Sequence, residues 1–463
     1  MGLQNRPIEL GTESIGKLLR QYAVPAIIAM TASSLYNITD SVFIGHGVGP
    51  LAISGLAITF PLMNLASAFG ALVGVGGATL LSIRMGQKDY TTANTILGNV
   101  VILNIIIGIL FTIPTLVFID PILRFFGASS DTLPYARDYM EIILLGNVLT
   151  HLYMGLNSLL RSAGNPQKAM YCTIATVLIN IPLNALFIFG LGWGIRGAAI
   201  ATILSQVILL LWQFRFFSNK NRFIHFKKGI FRLKKKIVKD TLSIGSASFF
   251  LNAASCLIVI VINQGLIRYG GDLAVGAYGI INRISFLFVM VVVGLNQGMQ
   301  PIVGYNYGAK QYARVNEVLK KTIIWATVVM TFGFIVIELF PRTVVNIFTT
   351  DQTLVSLAAQ GLRIVFMIFP LIGFQMVVSN FFQSIGMAGK AIFMSLSRQI
   401  IFLLPLLIIL PRFYGVNGIW YSMPISDFIA SITAFIMLLL QFRKFKKISE
   451  EPAHKTEQSL NPS

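Results

Sequence analysis

Long apolar runs alternate with short polar connectors along nearly the whole chain. Each run is close to or above the ~20 residues that a helix needs to cross a bilayer. Read as helices, they predict spans over Tyr22–Gly45, about Leu51–Ile83, Thr95–Ile119, Met140–Leu160 and Ala169–Phe189, and a sixth ending near Phe214. A second set follows at about 241–266, 273–300, 322–340, 361–383, 391–411 and 418–441. Pro25 lies in the first turns of span 1 and predicts a kink there, because proline removes a backbone donor. Between spans 3 and 4 the stretch Asp120–Tyr139 reads as an outside loop with an amphipathic piece at Pro121–Phe126.

The second set repeats the first. Gly86-Gln87-Lys88-Asp89-Tyr90 recurs as Gly308-Ala309-Lys310-Gln311-Tyr312, 222 positions later. Leu51-Ala52-Ile53 recurs as Leu273-Ala274-Val275, and Ser162-Ala163-Gly164 with Lys168 recurs as Ser384-Ile385-Gly386 with Lys390, both at the same offset of 222. Gly194-Ile195-Arg196-Gly197 recurs as Gly415-Val416-Asn417-Gly418 at an offset of 221. The chain therefore divides into an N-terminal segment (1–17), a first six-helix bundle (18–214), a basic linker (215–240), a second bundle (241–441) and a basic, then polar, tail (442–463). An even span count per half gives both halves the same orientation, as parallel repeats about an axis along the membrane normal. The fold class is an all-α integral membrane protein of twelve helices in two such bundles.

Composition agrees. The 463 residues are 55% hydrophobic and 11% charged, where a soluble domain carries about 25% charged residues. The formal net charge of +19 raises nucleic acid as a partner, but its distribution argues otherwise. Lys88, Lys168, Lys310, Arg314, Lys320, Lys321, Lys390 and the block from Arg215 to Lys239 sit in short loops on one side, the pattern of cytoplasmic loops. Both termini are thus expected in the cytoplasm, with the linker and tail against it or against anionic headgroups. Cys172 and Cys256 fall inside spans and imply neither a disulfide framework nor a zinc site.

The first span carries the most unusual chemistry. Within Tyr22–Gly45 the one ionisable carboxylate is Asp40, in a setting made polar by Thr31, Ser33, Ser34, Asn37 and Thr39. An ionised carboxylate inside a membrane helix costs ~3 kcal/mol or more and by default faces a polar cavity or a partner. Tyr36 lies one turn away on the same helix face. In span 5, Asn180 and Asn184 flank Pro182 and share a face; read alone they serve the opened backbone as readily as a ligand, and Asp40 in the same half tips them toward a shared site. Asn157 and Thr202 are further intramembrane polar groups that matter only as members of a cluster. Asp427, beside Pro424 in span 12, is a second candidate titrating group, with pairing to a nearby arginine or to opened backbone as the alternative. Glu141 and Glu338 read as interfacial charges. Met30, Phe60, Met63, Phe286, Met290 and Asn252 are candidates for a cleft that takes flat apolar cations, although lipid contact or core packing is the commoner fate of each aromatic or methionine.

Enzyme signatures fail. The Gly-Val-Gly-Gly tract at 74–77 lies in an apolar helix, no Walker sequence is present, and the four histidines show no metal spacing. No catalytic residue, cofactor or metal is expected beyond Na+ or H+ at Asp40. A channel is disfavoured because no repeated filter sequence occurs.

With the repeat and these residues in hand, the sequence resembles the multidrug and toxic compound extrusion (MATE) transporters, over about residues 15–441. The resemblance is carried by Pro25, the Tyr36/Asp40 pair, Met85-Gly86-Gln87, Arg161-Ser162-Ala163-Gly164-Asn165, Asn180 to Phe189 and Gly194 to Thr202, while Phe374 to Pro411 resembles the MepA-like bacterial branch. It implies two bundles arranged as a V in a bacterial cytoplasmic membrane, working as a monomer. It implies export of amphipathic, mostly cationic compounds in exchange for H+ or Na+, with the ion held by Asp40, Asn180, Asn184 and Thr202 and with Tyr36 and Asn157 close by. Position 184 departs from much of that branch in being an amide rather than a second acid, so the site carries one formal negative charge and leans toward H+. The alternative is a flippase for lipid-linked substrates of the same broad superfamily, for which only Arg283 and Arg398 supply mid-span positive charge.

Overall fold

A computed structural model of the chain describes residues 6–460. Among them every regular element is helical, and the helices divide into the two sets that the repeat predicts. Ten helices are long and apolar enough to cross a membrane: Ile15–Gly47 (span 1), Leu51–Gly86 (2), Tyr90–Val117 (3), Pro166–Gly190 (5), Gly194–Phe217 (6), Lys235–Gly271 (7), Leu273–Gly308 (8), Tyr312–Leu339 (9), Ala388–Tyr414 (11) and Val416–Phe445 (12). Spans 4 and 10 are bent pairs, Leu133–Leu145 with Asn147–Ser162 at 56° and Gln352–Phe366 with Phe369–Ser384 at 52°.

The bent pairs correct two sequence boundaries. Span 4 begins at Leu133, inside the stretch expected to be an outside loop, because Arg137, Asp138 and Glu141 mask its apolar face from a hydropathy reading. Those charges are neutralised locally: Arg137 bonds Glu141 at 2.8 Å and Asp120 at 3.2 Å, and Arg196 bonds Asp138 at 2.7 Å. The amphipathic piece before it is a short helix, Ile119–Phe125. Span 1 passes through Pro25 as one continuous helix. The last helix is described as far as Leu460, through the stretch read from the sequence as a basic, then polar, tail.

The repeat extends to backbone detail. Lys88 and Lys310, 222 positions apart, both sit at φ 59°, a left-handed conformation uncommon for a residue with a side chain. Each closes the turn after a span, span 2 in one half and span 8 in the other.

The halves meet along a seam of small residues at the ends of the spans that lie beside both termini. A Cβ added at Gly86 would meet the carbonyl oxygen of Tyr305, and one at Gly308 would meet that of Ile83, each well under 3.0 Å. Because 83 and 305, like 86 and 308, are one repeat apart, the contact is two-fold symmetric. Further in, Gly76 approaches Thr241 and Gly245, and Gly298 approaches Tyr22 and Ala23, again as symmetric counterparts. Gln300 Nε2 donates to Thr79 Oγ1 at 2.6 Å across the same seam. The N-terminal segment closes its edge: Arg314 donates to the carbonyls of Leu10 and Glu13, and Asn306 donates to Leu10. Phe445 stacks on Tyr312 with ring centroids 5.0 Å apart, so both ends of the described core lie on this terminal face. Apolar spans gain little from mutual burial in lipid, and close backbone approach through glycine supplies the packing instead.

The linker is held as well. Asn99, fully buried in span 3, donates through Nδ2 to the carbonyls of Ile230 and Arg232 and accepts from the Lys234 amide, at 3.1, 3.0 and 2.9 Å. Five residues earlier Asn94 donates to Phe223 O and accepts from His225 N. Polar side chains in span 3 thereby satisfy linker backbone that would otherwise be buried without partners.

Candidate functional site

Asp40 is buried in the first bundle, where span 1 packs against spans 5 and 6. The Asn184 amide donates both of its protons, one to Asp40 Oδ1 at 2.6 Å and one to Asn180 Oδ1 at 2.7 Å. Asn180 and Asn184 face Asp40 together because they lie one helical turn apart. Between them Pro182 withholds a backbone donor, and the helix then loosens into a π turn over Leu186–Gly190. Such widened turns recur at functional sites.

A second pair closes the other side. The Tyr36 hydroxyl and Thr202 Oγ1 are 2.7 Å apart, joining span 1 to span 6. Thr202 thus reaches to a neighbouring helix as a member of a cluster. Tyr139, from the outer arm of span 4, is fully buried near Thr202, Tyr36 and Asp40. Sequence reading missed Tyr139 because it assigned that residue to a loop. Among the described residues no lysine, arginine or histidine side chain pairs with Asp40, so one negative charge is enclosed by hydroxyls and amides. The Asn184 Oδ1 and Asn180 Nδ2 atoms are buried without hydrogen-bond partners. Carboxylate, amide carbonyl and hydroxyl oxygens together suit a small hard cation or a proton, and not a soft metal.

The other expected residues separate. Asn157 is buried but bonds Thr173 Oγ1 at 3.1 Å, away from direct contact with Asp40. Asp427 is paired with Arg398 at 2.6 Å, the arginine alternative that the sequence left open. That pairing also occupies one of the two positive charges on which a flippase reading depends. Met30 lies at the junction of the halves, with its sulfur 3.4 Å from Gln297 Nε2. Met63 accepts from Thr59 within the first half, Asn252 bonds its own helix at Ser248 O, and Phe60 and Phe286 are exposed. Met290 is partly buried, and no hydrogen bond or ring contact draws these six into one cluster.

Among the described residues the second half has no equivalent of the Asp40 site. One repeat on from Tyr36 and Asp40 stand Ile258 and Ile262, both buried and apolar. The two-fold frame is shared; the polar chemistry at its outer end belongs to the first half.

Comparison with known proteins gives concordant results. The family model described as MatE matches residues 25–186 and again 247–409, one match per half. "Multidrug export protein MepA" of Staphylococcus haemolyticus is 28% identical over 440 residues, covering 95% of this chain and 96% of its own length. A solved structure described as the MATE multidrug transporter DinF-BH is 37% identical, covers 93% of this chain and 96% of its own, and superposes with a TM-score of 0.86. Another, described as the outward-facing conformation of a multidrug resistance MATE family transporter, is 25% identical, covers 96% of this chain and 99% of its own, and superposes at 0.90.

Proposed function

The chain belongs to the MatE family of membrane transporters, and from that premise we propose that it is a secondary antiporter that expels amphipathic, mostly cationic compounds in exchange for H+, with Asp40 as the coupling group. The family places it among multidrug exporters rather than enzymes. The observation that carries the finer reading is the enclosure of the Asp40 carboxylate by Asn184, with Tyr36, Thr202, Asn180 and Tyr139 around it and no fixed positive charge among its partners. A buried acid locked in an ion pair would be scaffold; one held only by neutral groups is free to change its charge when the access changes.

In this reading the halves rock about the seam at the terminal face, which is cytoplasmic. With that seam closed, Asp40 exchanges with the outside, and neutralising it relaxes its hold on Asn184 and so the packing of span 1 on span 5. Span 1 also carries Met30 at the junction of the halves, which links the acid to the drug cleft. Export is driven by the proton gradient, each tenfold difference in H+ being worth ~1.4 kcal/mol; the ~2.3 kcal/mol per charge per 100 mV of membrane potential adds to it only where more positive charge enters than leaves, because one H+ exchanged for one monovalent cation moves no net charge. The substrates are small molecules taken from the cytoplasm or the bilayer, and the single negative charge at the site favours H+ over Na+.

The test is Asp40→Asn in proteoliposomes, with H+ and Na+ gradients imposed separately. The amide keeps the shape and cannot carry a proton. The variant is expected to bind a fluorescent cationic substrate and to lose gradient-driven export; export at the wild-type rate would remove Asp40 from the mechanism. A response of the wild-type protein to a Na+ gradient alone would reassign the ion.

A further inference from the structure

From Asp40 toward the terminal face, the buried side of span 5 continues as a file of polar side chains. Asn184, Asn180, Thr176 and Thr173 follow one another at three- or four-residue steps, and none is more than 9% exposed. The inner arm of span 4, Asn147–Ser162, presents Tyr153, Asn157 and Arg161 to them, each one turn from the next. The two rows are cross-linked: Thr176 Oγ1 donates to the Tyr153 hydroxyl at 2.9 Å, and Asn157 Nδ2 donates to Thr173 Oγ1 at 3.1 Å. At the end of the row Arg161 Nη2 donates to Ser158 Oγ at 3.2 Å, one residue before the helix ends.

Two helices packed inside an apolar bundle ordinarily meet through small and aliphatic side chains. This seam instead lines up four side chains on one helix and three on the other, and it does so along a line that starts at Asp40, the one buried acid without an ion pair among the described residues of the bundle. Three atoms along it, Asn184 Oδ1, Asn180 Nδ2 and Asn157 Oδ1, are buried with no protein partner, on side chains more than nine-tenths buried. Unsatisfied groups at such spacing suit transient water, which needs two to four polar neighbours. The central cleft offers no such route while the halves are sealed at Gly86 and Gly308. The span 4–span 5 seam lies within one bundle, so it need not wait for the halves to part.

We propose that this seam, from Asp40 through Asn184, Asn180, Thr176 and Tyr153 to Arg161, is the inward branch of the proton's path, separate from the cleft that carries the drug. The proposal rests on Asp40 as the coupling group. The Asp40 carboxyl gives its proton to a water held at the Asn184 and Asn180 amides and keeps the electron pair as a carboxylate. The Thr176 and Tyr153 hydroxyls each accept one proton and release their own, and a final water takes the proton out at the terminal face. No hydroxyl ends with a changed charge, and one proton is moved. Arg161 sets a fixed positive charge at the exit, which disfavours the entry of metal and drug cations from that side.

The experiment uses the full chain in proteoliposomes with a trapped pH dye, and ethidium as the transported cation. Thr176→Val with Tyr153→Phe removes both hydroxyls at nearly constant volume. Proton movement evoked by ethidium should slow at least tenfold, ethidium affinity in detergent should stay unchanged, and Thr176→Ser alone should restore the wild-type rate. A double variant that moves protons at the wild-type rate, while Asp40→Asn moves none, overturns the path and leaves the coupling group standing. If Asp40→Asn moves protons normally, the coupling reading falls and the path falls with it. Should the double variant lose ethidium binding through misfolding, Thr173→Cys in a Cys172→Ser, Cys256→Ser background decides. It should react with a water-borne methanethiosulfonate from the terminal face and not from the opposite face; no reaction from the terminal face overturns the proposal.

Discussion

In the proposed mechanism the seam between the halves sets the free energy difference between the two access states, and its symmetry makes the prediction unusually tight. Gly86→Ala places a Cβ against the Tyr305 carbonyl, and Gly308→Ala places one against that of Ile83, both well inside 3.0 Å where ordinary contacts are 3.4–4 Å. The obstruction is backbone in both cases, so no flexible side chain can swing away, and the halves must separate there by on the order of 1 Å. Overpacking of a close contact costs ~1–3 kcal/mol. Because the strain exists only while the seam is closed, that cost moves the equilibrium toward the seam-open state by roughly 5–150-fold. Spin labels on the terminal-face loops, read by pulsed electron resonance, would report the two populations directly. The two variants should produce shifts of similar size, since their contacts are related by the repeat. Gly279→Ala, where an added Cβ meets nothing within 4 Å, serves as the control. Unchanged distance distributions in both seam variants, or an equal shift in the control, would refute the assignment of this seam as the gate.

Three other substitutions follow from particular contacts. Asn99→Ala leaves the Ile230 and Arg232 carbonyls and the Lys234 amide without their partner, at ~1–3 kcal/mol for each group that stays buried, and should lower the melting temperature in detergent and expose the linker to protease; unaltered cleavage would show that the clamp is dispensable. Arg398→Ala strands a buried carboxylate at Asp427 and is expected to cost ~3–5 kcal/mol, whereas the charge-free pair Arg398→Met with Asp427→Leu should melt within ~1 kcal/mol of wild type; a pair that melts normally and no longer transports would instead make Asp427 functional. Asp89 caps span 3 through the Thr92 amide, and hydrogen bonding from the Thr92 side chain first, then from that amide, holds its carboxyl below the usual carboxylate range. A lowered carboxyl stabilises the fold above its unfolded value of ~3.9 and loses that contribution as pH falls through the folded value. Asp89→Ala should therefore cost ~1 kcal/mol at pH 7 and markedly less near pH 3; equal losses at both pH values would show that the charge plays no part.

Length and period of the apolar runs determine the span count, and the 222-residue offset determines that there are two parallel halves, because lipid leaves a crossing segment no option but to satisfy its own backbone as a helix. The helix period also placed Asn180 on the face of Asn184 and Tyr36 on that of Asp40. What it left undetermined is which faces meet. Thr202 and Tyr139 reach the site from helices far along the chain, and Asn157 turns to Thr173, through rotations set by packing that no local pattern encodes. Asp427 looked like a twin of Asp40 along the sequence and is distinguished from it only by the arginine that the fold brings beside it. Charged residues in the outer arm of span 4 hid that arm, since an average over a window cannot see a charge neutralised by a distant partner. The closed seam is likewise a property of tertiary structure: glycines 222 residues apart show where backbones can approach, and only the assembled halves decide that they do.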